Sequence, residues 1–591
     1  MTTLSSASRS RTMAPYGRSE KCAFAPVMWR MDPIFEGMKP GANNERIFRN
    51  AETRSGVGGE VLAIDLLSAA ATRIDRELAG NPGAAAELGV IVAEGFGFLG
   101  KPDMGEKVVR VALEKAEKTY GLHHIISVRA KVQLASIIKH KSPVEAEKML
   151  DEVIAEARAL LPESAEPLVD ALSDKGFIAS KRNASDVAIS SLKESVALSE
   201  KYLGTHSKTT IFHLGLLANT QGVFGQDEDQ LANAAEALKR AEAVLGKNRP
   251  DIMLSAAERF YASALRRLDR PGDAVVLLRR VLEDQRKLDT VETGRVRYAM
   301  HELGLALSMS GQLAEAIDVQ RKVVAMEAVQ NPYESGNRVI AGEPLLASLL
   351  AARRVAEAAA ERDRLAALQA RLGENVPRFL LIDAVRHASV LALRGEHAEA
   401  QRVAMTVTAK TEDEFAVQRA DAWRVAAMNA RLQGMPDKAA KYVESMRQIS
   451  QKKTVTRRLL SDLSAEAGSV AFDLGRFDEA EHAFADCRKY YEQAQVKLSA
   501  RVATCVVGSA RVMMRNNQPE SAAKLLQALA DDWKLVNPNS EWHGETLYWL
   551  AQVQAQMGQA REAGDTLARA RNLLAKSNLP LLRQLHNRPL T

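Results

Sequence analysis

One pattern recurs along most of this chain and leaves little freedom in what it can fold into. A Gly or Asn stands about five residues ahead of a small residue, and an apolar helical stretch follows with Leu or Val four and seven positions further on. Clear copies are Gly311-Gln312-Leu313-Ala314-Glu315-Ala316, Gly395-Glu396-His397-Ala398-Glu399-Ala400, Gly475-Arg476-Phe477-Asp478-Glu479-Ala480 and Gly558-Gln559-Ala560-Arg561-Glu562-Ala563. The last residues of these turns give twelve marks: Gly105, Ala146, Ala188, Gln230, Ala274, Ala316, Ala358, Ala400, Ala439, Ala480, Ala522 and Ala563. Gln230 and Ala358 are placed by register. The marks span 458 residues in eleven steps, a period near 42. A fixed period of that size denotes a stack of supersecondary units.

The residue types explain the unit. A small residue near the start of a second helix lets it cross the first helix closely, and Gly or Asn five residues earlier supplies the turn. Pro271, Pro436 and Pro519 suit helix starts, where a missing N–H costs nothing. One helix pair cannot bury its own apolar stripe, so each must stack on its neighbour. No alternating period-2 run appears, so no strand is expected. Ahead of the repeats, Val61-Leu62, Ile64, Leu66-Leu67, Ile74 and Leu78 keep three- and four-residue steps until Gly80-Asn81-Pro82 stops the helix.

Composition narrows the class. Hydrophobic residues at 46% and charged residues at 26% are those of a folded chain. No apolar run reaches 18 residues, which excludes a hydrophobic transmembrane helix on sequence grounds. The net charge of +6 is uneven: residues 1–58 hold nine Arg/Lys against five acids, so the remainder carries only about +2 and is no nucleic-acid-binding body. That opening segment is rich in Ser, Gly, Pro and Arg and reads as a disordered basic tail. Cys22, Cys487 and Cys505 are too few and too scattered for a disulfide framework or a zinc site, and imply a reducing, cytoplasmic interior. Cys487 and Cys505 read as small core residues.

At this point the chain resembles the tetratricopeptide-repeat (TPR) superfamily. Met300-His301-Glu302-Leu303-Gly304-Leu305-Ala306-Leu307, with Gly311 and Ala316, follows most of that signature. Trp423 with Ala426, Ala427, Gly434 and Ala439 follows it in part, and Phe472, Gly475, Phe477, Ala480 and Phe484 follow it well. The longer period is similar to the extended repeats of kinesin light chains, as is the link Leu203-Gly204-Thr205-His206-Ser207. The helix Asp65 to Leu78 resembles the cap that opens the repeat regions of bacterial serine/threonine kinases and winged-helix regulators. The resemblance implies an all-α, right-handed solenoid of about twelve helix pairs. The expected domains are a tail over 1–58, a capping helix over 59–81, a superhelix over 82–577 and a C-terminal tail over 578–591.

Other motifs carry less. Gly95-Phe96-Gly97-Phe98-Leu99-Gly100-Lys101-Pro102 has phosphate-loop spacing, but Pro102 stands where Ser or Thr must hold Mg²⁺ and no strand precedes it. His123, His124 and His140 have no accompanying ligand constellation and read as linker residues. No kinase motif, nucleophile elbow or zinc helix appears, so neither an enzyme nor a cofactor is expected.

What remains is a groove. The family places the first helix of each pair on the concave side. There the sequence offers Arg259, Arg266, Arg267, Tyr298, His301, Arg424, Arg431, Arg511 and Arg515. Arg presents a rigid donor fork for carboxylates and Tyr an amphipathic ring. The expected function is a protein-interaction scaffold or regulatory adaptor that binds a protein or peptide partner through an acidic or C-terminal segment, with no nucleic acid and no membrane as partner. The alternative is a detached sensor region of a serine/threonine kinase or winged-helix transcription regulator. Because residues 1–58 contribute no apolar stripe, deleting them is expected to leave the melting temperature nearly unchanged. A fall of more than a few degrees in a thermal melt would show that the tail docks.

Overall fold

The computed structural model describes residues 59–590, apart from 100, 248–249, 289–293, 331–335, 373–376, 411–414, 452–456, 494–495, 497, 576 and 578. The tail expected over 1–58 lies outside the described residues. The described chain is helical throughout, with 26 helices and no strand. None of these helices is long and apolar enough to cross a membrane.

Helix α1 spans Gly59–Glu77, and twelve pairs follow. They are α2 (Pro82–Phe98) with α3 (Pro102–Tyr120), α4 (Ile125–Ile138) with α5 (Pro143–Ala159), and α6 (Ala165–Lys181) with α7 (Ser185–Leu203). Next come α8 (Lys208–Val223) with α9 (Asp227–Leu245), α10 (Ile252–Arg267) with α11 (Pro271–Leu288), and α12 (Gly294–Met309) with α13 (Leu313–Gln330). They continue as α14 (Gly336–Ala351) with α15 (Val355–Leu372), α16 (Pro377–Arg394) with α17 (His397–Thr408), and α18 (Ala416–Leu432) with α19 (Pro436–Ser450). The last are α20 (Arg457–Asp473) with α21 (Phe477–Gln493), α22 (Ala500–Arg515) with α23 (Pro519–Val536), and α24 (Glu541–Gln556) with α25 (Ala560–Leu574). The C-terminal segment expected as a tail carries a short helix, α26 (Pro580–Asn587), which buries Leu582 and Leu585.

Each of the twelve marks is the fourth residue of a second helix. From Ala146 to Ala563 all eleven are at most 1% exposed, and Gly105 is buried as well. The turn before all but one of them is built in one way, the α4–α5 turn closing instead from the Ser142 amide to the Ile138 carbonyl at 2.7 Å. In the pair α12/α13 the amide of Gln312 donates to the Leu307 carbonyl at 2.9 Å, and Glu396 to Leu391, Met435 to Ala430 and Arg476 to Ala471 repeat the bond. This six-residue closure needs a left-handed residue just past the helix end. Six of these are glycines, including Gly311 at φ 80° and Gly475 at φ 73°. Asn183, Asp269, Arg353 and Asn517 fill the same place at φ 57° to 63°.

Gln230 departs from the small-residue rule and is compensated across the crossing. A Cβ on Gly222 of α8 would lie only 2.3 Å from the Gln230 Oε1, so the space missing from one helix is supplied by the other. Links between pairs follow the expected chemistry: Gly204 ends α7 at φ 93°, and Ser207 caps α8 by accepting the Thr210 amide at 3.1 Å.

The chain divides into two compact units, residues 1–137 with 286–293, and residues 138–285 with 294–591. In the first, Leu67, Ala70 and Ile74 of α1 pack on Ala85, Val92 and Phe96 of α2. In the second, second helices pack between their own first helix and the next one, as α13 does between α12 and α14 and α21 between α20 and α22, and successive first helices also touch: α8 on α10, α16 on α18, α20 on α22, α22 on α24. The first helices therefore form the inner side of this unit.

One expectation is corrected. Cys487 of α21 and Cys505 of α22 are joined as a disulfide between adjacent pairs, both fully buried. Adjacent pairs bring residues 18 apart to a Cα separation of 6.1 Å, within the range a disulfide spans. The cysteines accordingly give no argument for a reducing interior.

Because Ala316 and Ala480 sit at closed crossings, Ala316→Leu and Ala480→Leu are each expected to overpack a crossing and cost roughly 1–3 kcal/mol. Melting temperatures equal to wild type for both would refute the register.

Candidate functional site

The inner side of the second unit is lined by α6, α8, α10 and the later first helices, and it concentrates Arg and aromatic side chains. On α10, the Arg259 guanidinium lies 4.5 Å from the Phe260 ring centroid and 5.8 Å from that of Tyr298 on α12. Arg297 stacks on the same Tyr298 ring at 4.6 Å and is ion-paired with Glu327. Tyr298 remains half exposed. Burial pulls the Arg259 pKa below its ordinary value, and the nearby charge of Glu302 only partly offsets this. No carboxylate among the described residues forms an ion pair with Arg259. Burial also lowers the His301 pKa, Glu302 opposes this, and neighbouring Arg266, Arg297 and Arg259 add to the lowering.

Four of the expected arginines are committed to acids of the fold itself. Arg266 pairs with Glu302 at 3.2 Å, with both side chains largely buried. Arg267 reaches Asp227 at 2.8 Å, and Arg424 reaches Asp421 at 3.4 Å. Arg431 holds Asp473 at 2.7 Å and Glu466 at 3.4 Å, which binds α18 to α20. Equal spacing on a helix face thus produced ion pairs, with acids at matching depth on the adjacent helix for Arg266, Arg267 and Arg431 and one turn back on α18 itself for Arg424. Arg266, Arg267 and Arg431 hold the stack together, and among the described residues Arg259, Arg511 and Arg515 are the arginines of the set without an ion pair.

Arg511 is the most distinctive. Its guanidinium lies between two rings, 4.1 Å from the Phe472 centroid on α20 and 4.8 Å from the Trp549 centroid on α24. Three consecutive first helices therefore meet at one cation. Burial lowers its pKa, Arg431 and Arg515 add repulsion, and Asp473 and Glu545 offset part of it. It has no ion pair among the described residues, and its Nε is buried without a hydrogen-bond partner. Arg515, one turn further along α22, is exposed.

Trp549 and Arg297 escaped the sequence reading. A usable signal existed: Tyr298 follows Arg259 by 39 residues, Arg511 follows Phe472 by 39, and Trp549 follows Arg511 by 38. That is one repeat less about one helical turn, the offset that brings side chains on neighbouring first helices together.

Glu343 on α14 is a second feature without a sequence signature. Both carboxylate oxygens are buried with no hydrogen-bond partner among the described residues. Burial raises its pKa to about 7, Asp383 and Glu361 add to the rise, and Arg386 opposes it. No cluster of metal-ligating side chains occurs among the described residues. His124 stacks on Tyr120 with centroids 4.4 Å apart. The phosphate-loop look-alike divides between the end of α2 and Pro102, which opens α3.

Comparison with known proteins gives similarity of fold at low identity. A crystal structure of a Rap protein complexed with competence and sporulation factor is 15% identical, covering 64% of this chain and 99% of that one at a TM-score of 0.45. Cut9 with Hcn1, an APC/C hetero-tetramer, is 13% identical, covering 95% and 96% at a TM-score of 0.40. BtubC from P. vanneervenii is 16% identical, covering 39% and 93% at a TM-score of 0.32. No family model matches the chain, and no curated protein sequence matches it.

The position of Glu343 makes stability depend on pH. With a folded value near 7 against an ordinary 4.5, the folded chain holds a proton between those values that the unfolded chain has released. That contribution is present below about 4.5 and is lost as pH rises through about 7. Glu343→Gln is therefore expected to raise stability by about 3 kcal/mol at pH 8 and by about 1 kcal/mol or less at pH 5. Equal effects at both pH values in chemical denaturation would contradict the assignment.

Proposed function

We propose that the first-helix face of the helix-pair array docks a carboxylate-bearing segment of a protein partner, and that the chain acts as a scaffold or adaptor. The observation that carries this reading is Arg511, a cation held between Phe472 and Trp549 with no ion pair among the described residues. A buried, unpaired guanidinium is costly unless a ligand supplies the counter-charge. The two rings fix its plane, so less rotamer freedom is lost when a carboxylate binds. Arg259 between Phe260 and Tyr298 repeats the arrangement further up the array.

The test is a peptide library displayed with free or amidated C-termini and varied acidity, screened against the full chain. Acidic or free-carboxylate peptides are expected to be enriched. Arg511→Ala should weaken their binding by roughly 1.5–3 kcal/mol for a lost charged hydrogen bond, and affinity should fall with added salt. Arg267→Ala, which removes a side chain already engaged by Asp227, should have a smaller effect. Selection of neutral or basic peptides, or binding indifferent to Arg511, would overturn the reading.

A further inference from the structure

The second unit closes on itself through residues nearly two hundred positions apart. Two consecutive turns take part, those after α12 and α14. At the first, the Gly311 carbonyl accepts a hydrogen bond from Asn537 Nδ2 at 3.2 Å, and a Cβ on Gly311 would lie 2.5 Å from the Leu498 carbonyl oxygen. At the second, the Trp542 indole N–H donates to the Ala351 carbonyl at 2.7 Å. Arg353 stacks on the Trp542 ring at 3.4 Å from its centroid and pairs with Glu545 at 2.7 Å. Both partners of that pair are at most 14% exposed.

The residue choices at these turns fit closure and not the local turn alone. Every turn of this type requires a left-handed residue, which Gly, Asn and Asp adopt most easily. Arg353 stands there at φ 61°, a conformation that costs a long side chain some strain. The local turn gains nothing from a guanidinium, whereas Glu545 and Trp542 do. Gly311 is needed twice, for its φ of 80° and because the Leu498 backbone leaves no room for a side chain.

We propose that this contact is a latch. It joins the α12–α15 turns to the linker and helices around Leu498, Asn537 and Trp542, and it opens as one unit without unfolding the helix pairs. The contact is made of one ion pair, one stacked cation and hydrogen bonds to turn carbonyls, with Val355 adding an apolar edge. Each helix pair keeps its own closed crossing when the contact breaks. With the latch closed, the segment from α12 to α24 is held end to end. A partner that runs along its first helices enters when the latch opens.

Native-state hydrogen exchange on the full chain tests this. In wild type, the Trp542 indole N–H and the Asn537 side-chain amide, whose hydrogen bonds cross the latch, should exchange with a common opening equilibrium, well below global unfolding. Arg353→Gly keeps the left-handed turn and removes only the guanidinium. It should raise that common opening by roughly tenfold or more while leaving the amides of Glu396 and Met435, in turns outside the latch, unchanged. The exchange Arg353→Glu with Glu545→Arg should restore protection relative to either single change, a result that a misfolded variant cannot give. Independent exchange of the two groups, exchange only by global unfolding, or no response to Arg353→Gly would each overturn the proposal.

Discussion

The close approach at the fourth residue of each second helix is the contact on which the rest of the array depends. A backbone that comes this near its neighbour cannot shift by a fraction of an ångström without a clash, so the angle within each pair is fixed by what is absent at Cβ. The pairs of the second unit then place their first helices side by side at a nearly constant offset. That offset explains both the ion pairs that bind α18 to α20 and the aromatic cages around Arg259 and Arg511. Side chains 38 or 39 residues apart meet because the crossings upstream of them are rigid.

Polar burial on the inner side sorts into two classes. Arg266, Arg267 and Arg431 find acids on neighbouring helices and are spent on cohesion between pairs, while Arg424 finds Asp421 on its own helix. Arg259 and Arg511 find rings, which lower the cost of keeping a charge partly out of water without cancelling it. The difference lies in the neighbour. Glu302 sits beside Arg266, whereas Phe472 and Trp549 flank Arg511. A basic stripe read from sequence alone cannot distinguish the two, because both carry the same residue on the same face.

The fold was legible because its defining signal is local and repeated. The Gly or Asn of the turn and the small residue five positions on are chemical requirements of one crossing, and a single mark in error would have broken the period. The candidate site was legible only as a list of arginines. Their partners belong to other repeats, and which acid meets which arginine depends on helix phase across a crossing. The Cys487–Cys505 bond was missed for the same reason. Eighteen residues of separation said nothing until α21 and α22 were known to lie antiparallel with those two positions facing. Glu343 followed the same rule, since nothing in its neighbourhood along the chain marks a carboxylate deprived of partners.

The exchange between Gln230 and Gly222 bears on how such arrays can be rearranged. The bulk that one helix gains and the other gives up lies within a single pair, α8 with α9. A recombination joint placed in a link between pairs, such as the one around Gly204, would carry both residues together and keep the crossing intact. A joint placed within the pair would set Gln230 against a foreign side chain, or Gly222 against an alanine and a void. For the Gln230–Gly222 contact, the unit of safe exchange is therefore the pair α8–α9, cut at the links on either side of it.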